Sequence, residues 1–174
     1  MAHKVFVSYY HHDDEKWRRK WDILFGDLFI NKSVEPGDID TDNSAEYIKR
    51  LIRENYLEDT SVLVVLIGKN TWSRKHVDWE ISAALNKKVG GYSGLLGLLL
   101  PSHPDFGNKK FNPHLIPIRL YDNIHSGYAK LYDWTEDRRS ISQRVARAFD
   151  RRITEAIRIV NDHPQFKHNK PKPS

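Results

Sequence analysis

The sequence predicts one α/β domain built on a mostly parallel five-stranded sheet with helices on both faces. Short apolar runs alternate along the chain with longer segments of helical periodicity. Residues 62–67, VLVVLI, form an unbroken apolar run closed by Gly68, which is typical of a strand buried on both faces. Because crossovers between parallel strands are right-handed, this alternation distributes the helices over both sides of the sheet.

The first part of the chain is predicted to form a strand, a helix and a second short strand. Residues 4–10, KVFVSYY, are the first strand. Asp13 or Asp14 caps the following helix, because a short carboxylate accepts hydrogen bonds from the free N–H groups of the first turn. Residues 31–32 end the helix, and residues 33–35 form the second strand. The helix buries an apolar stripe made of Trp17, Trp21, Leu24, Phe25, Leu28 and Phe29.

The loop after the second strand, residues 36–44, is dense in turn formers and carboxylates. Asp38, Asp40 and Asp42 alternate there, as ligands do in a calcium loop. The central glycine and closing glutamate of an EF-hand are not in register, so no metal site is predicted. A second amphipathic helix is expected over residues 47–55.

The helix after the central strand carries a carboxylate at the margin of its buried face. At about 100° per residue, Glu80 lies beside the apolar stripe, with His76 one turn earlier on the same side. Open α/β sheets place their chemistry just beyond the ends of their strands, which makes Glu80 a candidate catalytic residue. The alternative is a partly buried glutamate paired with a neighbouring Arg or Lys. The stripe itself consists of Val77, Ile81, Ala84 and Leu85.

Trp79 is predicted to point away from the core. Its helical phase is nearly opposite the apolar stripe, and an exposed tryptophan is typical of a subunit interface. This favours a homo-oligomer slightly over the alternative, which is that a loop around Tyr92 covers the indole.

The second half of the chain is predicted to supply two more strands and a final helix. Residues 94–101 form the fourth strand, and residues 114–121 form the fifth. Pro117 lies inside the fifth strand and cannot donate to a ladder, so that strand is placed at an edge. An irregular stretch runs to residue 134. The last helix, residues 137–161, buries Ile141, Val145, Ala148, Phe149, Ile153, Ile157 and Val160.

The composition predicts a soluble, cytoplasmic protein. Hydrophobic residues make up 39% of the chain, there is no cysteine, and no signal peptide is visible at the N-terminus. The two most apolar runs, residues 62–67 and 95–100, are too short to span a bilayer, so no membrane partner is expected.

The positive charge does not predict nucleic-acid binding. The formal net charge is +5, and much of the positive charge lies on the last helix and the tail. Residues 1–163 are the predicted domain, and residues 164–174 are a basic, Pro-rich, flexible tail. A solvated helix face and this tail account for the charge better than a nucleic-acid groove does.

Several familiar chemistries are excluded by their missing motifs. The chain has no GxxxxGK[ST] phosphate loop, no GxGxxG after the first strand and no GxSxG elbow. Its nine histidines do not form HExxH or another metal-ligand spacing. The Asp13–Asp14 pair suggests a phospho-receiver domain, but an acceptor aspartate would have to end the third strand, where this chain has Gly68 and Lys69.

Two segments resemble the TIR-like family of prokaryotic antiphage defence, the ThsB component of Thoeris systems. They are VFVSYYHHD at the start and VLIGKNTWSRKHVDWEI around the central strand and the Glu80 helix. The resemblance implies a flavodoxin-like, TIR-like fold over residues 1–163. The chain departs from the family at His76, where relatives often have Trp, and in the loop after strand two, which lacks the Arg-Asp lead-in of receptor TIR domains.

The resemblance also implies an enzymatic function. Family members cleave the nicotinamide–ribose bond of NAD⁺ and release nicotinamide, and they can convert the remainder into a cyclic ADP-ribose-type signalling nucleotide that activates a separate effector protein. The family's functional glutamate corresponds to Glu80. NAD⁺ is then a substrate, and no other cofactor is expected. The alternative is a non-catalytic TIR-like module that binds other proteins.

The predicted substrate contacts lie at the ends of the first and third strands, which flank the switch point of a flavodoxin-like sheet. Aromatic rings there can stack on nicotinamide or adenine. A hydroxyl or carboxylate can bind ribose and phosphate groups, and Arg74 can bind the pyrophosphate. For each of these residues a structural role is an equal alternative. The full set is Ser8, Tyr9, Tyr10, Asp13, Trp72 and Arg74.

Overall fold

The computed structural model describes residues 2–32, 60–87 and 91–171. The predicted second strand, the aspartate loop and the second helix, residues 33–35, 36–44 and 47–55, lie outside the described residues.

A parallel sheet of five strands is the centre of the fold. Its strand order is β2-β1-β3-β4-β5, and every neighbouring pair is parallel. The predicted fold class, an α/β sheet of flavodoxin-like order, is therefore confirmed. The strands are β1 (Lys4–Ser8), β2 (Ile30–Lys32), β3 (Val62–Ile67), β4 (Gly94–Leu99) and β5 (Lys130–Asp133).

Four α-helices belong to the described residues, and they cover both faces of the sheet. They are α1 (His11–Phe25), α2 (Lys75–Ala84), α3 (Ile118–Ser126) and α4 (Arg138–Thr154). Short 3₁₀ turns occupy Thr71–Ser73, Pro113–Leu115 and Ala156–Arg158. None of the helices in the described segments combines the length and apolar composition that a bilayer crossing needs.

The central strand separates two hydrophobic clusters. Leu63, Val65 and Ile67 face the cluster that includes the α2 stripe, and the alternate residues of β3 face the cluster formed with α1 and α4. All six side chains of β3 are buried, as the unbroken apolar run predicted. Each aliphatic side chain buried in this way stabilises the fold by about 1.5–3 kcal/mol.

Helix α1 differs from its prediction at both ends. It begins at His11, after Tyr10, and the cap position makes no side-chain hydrogen bond, so the prediction of an Asp13 or Asp14 cap is wrong. Both carboxylates lie in the first turn and contact the loop after β3 instead. The helix ends at Phe25, and Ile30–Lys32 belong to β2, because this segment hydrogen-bonds alongside β1.

The predicted fifth strand at residues 114–121 is wrong. Pro117 stands at the N-terminal cap of α3, where its fixed φ suits the start of a helix, and Ile116 and Leu120 bury into the α2-side cluster at helical spacing. The fifth strand is Lys130–Asp133, inside the stretch predicted to be irregular. Its residues are exposed or half-buried, as at a sheet edge, so no apolar pattern marked them.

The last helix is shorter than predicted. It ends at Thr154, and the 3₁₀ turn that follows changes the direction of the chain. Ile153 and Ile157 are 67% and 95% exposed, so their assignment to the core is wrong, whereas Ile141, Val145 and Ala148 are buried as predicted.

Residues 164–170, here called the C-terminal strap, pack along α2. The expectation of a flexible tail does not hold for this part of the chain, since Phe166 is buried and Asn169 and Lys170 are hydrogen-bonded to the segment that begins α2. The strap covers Trp79, whose Nε1 donates to the Phe166 carbonyl at 2.9 Å. Trp79 is only 3% exposed, so its prediction as an exposed interface residue is wrong.

Candidate functional site

The last residue of β1 faces helix α2. Side chains alternate along a strand, and Phe6 belongs to the α2-side cluster while Val5, Val7 and Tyr9 belong to the α1-side cluster. Ser8 shares the phase of Phe6 and therefore points toward α2 at the carboxyl end of the sheet. It is buried, and within the described part of the chain its Oγ has no hydrogen-bond partner.

Glu80 lies on α2 beside this serine. Its side chain is buried with a residue exposure of 1%, and its Oε2 has no hydrogen-bond partner among the described residues. Burial raises the pKa of the Glu80 carboxyl to about 8, and the nearby Ser8 hydroxyl partly opposes the rise. The contact with Ser8 falls short of ordinary hydrogen-bond geometry, so the carboxyl remains poorly satisfied. At neutral pH it therefore carries a proton in this structure.

No Lys or Arg in the described part of the chain pairs with Glu80. The cation in this region, Arg119, is instead paired with Asp78 at 2.9 Å and 3.3 Å. The alternative reading of Glu80, a glutamate neutralised by a neighbouring base, therefore finds no support among these residues.

His76 links the start of α2 to the end of β1. Its Nε2 lies 3.0 Å from the Tyr9 carbonyl oxygen, and because a carbonyl only accepts, Nε2 carries the hydrogen. Burial lowers the pKa of His76 to about 4, so the imidazole is neutral at physiological pH. The same hydrogen bond fixes the backbone next to Ser8 relative to α2.

Four more of the predicted substrate contacts lie at the carboxyl end of the sheet, as Ser8 does. Tyr9 is buried and stacks on the His11 ring at 4.3 Å, and burial raises the pKa of its hydroxyl to about 12. The Arg74 guanidinium lies over the Tyr10 ring, 4.4 Å from its centroid, and both residues are half-buried. Trp72 is buried in the 3₁₀ turn that precedes α2. The structure thus brings Tyr10 and Arg74 together as an aromatic and cationic pair.

Asp13 lies apart from Glu80, on the α1 side of the sheet. It accepts a hydrogen bond from Asn70 Nδ2 at 2.7 Å and borders a cavity of about 300 Å³. Glu80 is not among the residues around this cavity. The lining consists of His12, Asp13, Asp14, Lys16, Trp17, Lys69 and Ser102.

Asp14 is a buried carboxylate that the sequence analysis assigned only to helix capping. Burial, followed by the charge of Asp13, raises the pKa of Asp14 to about 6. Its carboxylate packs against Gly68, where an added Cβ would lie 2.5 Å from Oδ2, so a larger residue at the end of β3 would have to displace the Asp14 carboxylate. The pairing of Gly68 with an acidic first turn of α1 is the sequence signal that could have pointed to this contact.

Within the described segments, no group of three His, Asp or Glu side chains is arranged to hold a metal ion. The Asp38, Asp40 and Asp42 loop lies outside those segments.

Comparison with known proteins supports the resemblance seen in the sequence. The family model described as Thoeris protein ThsB, TIR-like domain, matches residues 6–105, more than half of the chain. This span contains Glu80 and every predicted substrate contact. None of the curated proteins matches the sequence significantly.

One solved structure with a similar arrangement is that of the TIR domains in the activated Roq1 resistosome directly recognizing the pathogen effector XopQ. The alignment covers 90% of this chain and 84% of that chain, with 13% sequence identity and a TM-score of 0.41.

Proposed function

Because the chain belongs to the Thoeris ThsB family of TIR-like domains and is thus a TIR-related defence protein, we propose that it cleaves NAD⁺, with Glu80 as the catalytic carboxylate. The observation that carries this proposal is the carboxyl of Glu80, buried beside Ser8 at the end of β1 with no ion pair to any of the described residues. A buried titratable residue whose pKa has moved this far is a candidate for chemistry.

The cost of burying Glu80 supports a functional role. A buried polar atom without a hydrogen-bond partner destabilises a fold by about 1–3 kcal/mol. Glutamine or alanine at this position would avoid the raised carboxyl pKa, and the α2 stripe would pack equally well. A residue that destabilises the fold, at a position where an uncharged side chain would pack equally well, is typical of a functional site.

The proposed reaction breaks the bond between ribose C1′ and the nicotinamide nitrogen. The bonding electron pair leaves with nicotinamide, which departs neutral and needs no general acid, while positive charge develops on the ribose. Water can then attack C1′ and lose a proton, which gives ADP-ribose. A nucleophilic atom of the same nucleotide can attack instead, which gives a cyclic product.

The Glu80 carboxylate stabilises the developing ribosyl cation in this scheme. In the structure its pKa of about 8 leaves it protonated at neutral pH. The nicotinamide ring of NAD⁺ is itself cationic, and a positive charge brought within about 4–6 Å favours the ionised carboxylate. Substrate binding thus generates the charged form that the reaction requires.

The buried state of Glu80 fits a protein that is silent at rest. With an exposure of 1%, the carboxyl is not accessible to a nucleotide without movement of the residues around it. We therefore expect the purified protein to be inactive until triggered, with NAD⁺ turnover during infection. The product is a cyclic ADP-ribose-type nucleotide that activates a separate effector protein.

The half-buried pair of Tyr10 and Arg74 is the proposed contact for the nucleotide. Arg74 can bind the pyrophosphate, and the Tyr10 ring can stack on a base. Ser8 is placed to bind a ribose hydroxyl next to Glu80. Tyr9 and Trp72 are buried beside this end of the sheet. Asp13, on the α1 side of the sheet, contacts substrate only if the nucleotide crosses the strand ends.

The test is nicotinamide release in cells that carry the defence system, with and without phage. Parent protein, Glu80→Gln and the matched control Glu136→Gln are compared, since Glu136 is a half-exposed carboxylate paired loosely with Lys20. Nicotinamide and cyclic nucleotides in the cell filtrate are measured by mass spectrometry. We expect both products from the parent and Glu136→Gln after infection, and neither from Glu80→Gln.

Equal nicotinamide release by parent and Glu80→Gln rejects the catalytic role of Glu80. Defence without nicotinamide release from any of the three proteins favours the non-catalytic module, which would act through protein contacts alone.

A further inference from the structure

We propose that the C-terminal strap, residues 164–170, is a positioning device for α2 and thereby holds Glu80 against Ser8, with Asn169 and Trp79 as its positioning residues. The catalytic part of this inference rests on the proposed function, and the structural part does not.

Helix α2 is enclosed on two sides. It has ten residues, and all of them from His76 to Ala84 are buried. At about 100° per residue, its apolar stripe faces the sheet, and Lys75, Asp78, Trp79 and Ser82 fall on the opposite side. A helix on the outside of a sheet would normally expose this second face to water. Here the strap occupies that face.

Three hydrogen bonds join the middle of the strap to this outer face of α2. The backbone N–H of Phe166 donates to Asp78 Oδ2 at 2.9 Å, and Trp79 Nε1 donates to the Phe166 carbonyl at 2.9 Å. Gln165 Nε2 donates to Ser82 Oγ at 3.1 Å. The strap residue Phe166 is thus bound through both its backbone donor and its backbone acceptor.

The far end of the strap caps the N-terminus of α2. The first N–H groups of a helix have no partner within the helix, and the cap residue Arg74 supplies no side-chain hydrogen bond. Asn169 Oδ1 accepts from the backbone N–H of Lys75 at 2.9 Å, and the N–H of Lys170 donates to the Ser73 carbonyl at 2.9 Å. A residue 94 positions later along the chain therefore performs the role of a local N-cap.

The strap is also tied to α3 through Asp78. The carboxylate of Asp78 binds both the Phe166 N–H and the Arg119 guanidinium, and Arg119 Nη1 donates to Asn161 Oδ1 at 2.9 Å. Asn161 Nδ2 in turn donates to the carbonyl of Ser82 at 3.2 Å. One network thus connects α3, the strap and α2, and it surrounds the turn of α2 that carries Glu80.

This arrangement matters for the chemistry because α2 is short. With ten residues, both ends of the helix lie close to Glu80, and displacement of a reacting group by about 1 Å can cost roughly 100-fold in rate. The strap fixes both the start of the helix and its third turn. Together with the His76–Tyr9 hydrogen bond, these two points hold Glu80 against Ser8.

The experiment removes the cap supplied by the strap and compares it with a matched cap elsewhere. The variants are Asn169→Ala, the conservative Asn169→Asp, which still accepts from Lys75 N–H, and Trp79→Phe, which loses the indole donor together with part of the ring. The control is Asn112→Ala, because Asn112 Oδ1 caps the 3₁₀ turn at Pro113–Leu115 through His114 N–H at 3.0 Å. All are made in the full-length chain.

Three readouts are measured. Hydrogen exchange of α2 backbone amides is expected to be about five- to tenfold faster in Asn169→Ala and Trp79→Phe, and unchanged in Asn169→Asp and Asn112→Ala. Carboxyl NMR is expected to show the Glu80 pKa falling toward its ordinary value in the same two variants. In triggered Asn169→Ala and Trp79→Phe, kcat for nicotinamide release is expected to fall about tenfold with KM unchanged.

Unchanged exchange and an unchanged Glu80 pKa in Asn169→Ala would overturn the positioning role. Faster exchange with undiminished nicotinamide release would overturn the link to Glu80, and increased release would show instead that the strap restrains the enzyme. If the triggered parent releases no nicotinamide, the proposed function fails separately, while exchange and the Glu80 pKa still decide whether the strap positions α2.

Discussion

Asp78 and Glu80 lie two residues apart on α2, and in the segments that the structure describes only Asp78 is paired with a cation. Asp78 is bound by Arg119 and by the backbone N–H of Phe166, while Glu80 Oε2 has no hydrogen-bond partner in those segments. Both carboxyls are almost fully buried. The two side chains therefore differ in environment: Asp78 is held by Arg119 and the strap, whereas burial without such partners raises the pKa of the Glu80 carboxyl.

Glu80→Gln is expected to stabilise the protein above pH 5. The unfolded chain releases the Glu80 proton near pH 4.5, whereas the folded chain retains it up to about pH 8, so rising pH favours the unfolded parent in this window. Glutamine has no such proton to release, so it removes this loss of stability. The free energy of unfolding of Glu80→Gln is expected to equal that of the parent below pH 4 and to exceed it by about 2–4 kcal/mol at pH 8.

Urea unfolding of both proteins from pH 4 to pH 8 measures this difference. The control Glu136→Gln should follow the parent curve, because that carboxylate is half-exposed. If the free energies of unfolding of the parent and of Glu80→Gln change in parallel with pH, the folded-state pKa of Glu80 is not raised.

Asp78→Asn is expected to destabilise the protein by about 3–5 kcal/mol, because it leaves the fully buried Arg119 without its carboxylate. Urea denaturation measures the loss. Asp27→Asn is the comparison, since Asp27 also binds an arginine, Arg138, through two bonds of 2.8 Å but on the surface. Its effect should be much smaller. Equal losses in the two variants would contradict the role assigned to the buried pair.

The His76 imidazole is expected to make the protein sensitive to acid. Its pKa is about 4 in the folded chain and 6.5 in a model peptide, so between these values the unfolded chain binds more protons. The contribution of His76 to the free energy of unfolding is fully present above pH 6.5. It is lost as the pH falls toward 4, which is a change of about 3 kcal/mol. His76→Gln should flatten this slope, and an unchanged slope would exclude His76 as its source. Chemical unfolding at several pH values provides the measurement.

Gly94→Ala is expected to destabilise the packing of β4 against α4. An added Cβ would lie 2.2 Å from the Ala148 carbonyl oxygen and 3.1 Å from the Phe149 nitrogen. These are backbone atoms, so relief requires the helix to move, and we expect a loss of about 1–3 kcal/mol or more. Thermal unfolding measures it. The double variant with Ala148→Gly should not recover stability, because the clash involves the carbonyl and not the Ala148 side chain.

The strands could be predicted from the sequence where complete burial makes all their residues apolar. β3 is paired on both edges and covered on both faces, so every residue is apolar, and β4 is the same. β5 could not be predicted, because an edge strand with half-exposed residues carries no such pattern. The apolar residues near Pro117 were assigned to a strand, although their spacing suits α3 equally well.

The candidate site was predicted in part. Helical phase placed Glu80 at the margin of the buried stripe, and strand alternation is what turns Ser8 toward it. Whether a cation neutralises Glu80 could not be predicted, since Arg119 lies 41 positions after Asp78 and pairs with that residue instead. The separation of Asp13 from Glu80 follows from the two helices packing on opposite faces of the sheet.

The amino-acid sequence by itself determined the parallel α/β sheet, the family and the position of Glu80 on its helix. These features depend on periodicity and short motifs, which are formed by residues close together in the chain. The tertiary structure alone decided that Trp79 is covered, that residues 164–170 cap and hold α2, and that Asp78 and not Glu80 receives the arginine. Those outcomes depend on contacts between residues far apart in the chain, and such contacts leave no local pattern in the sequence.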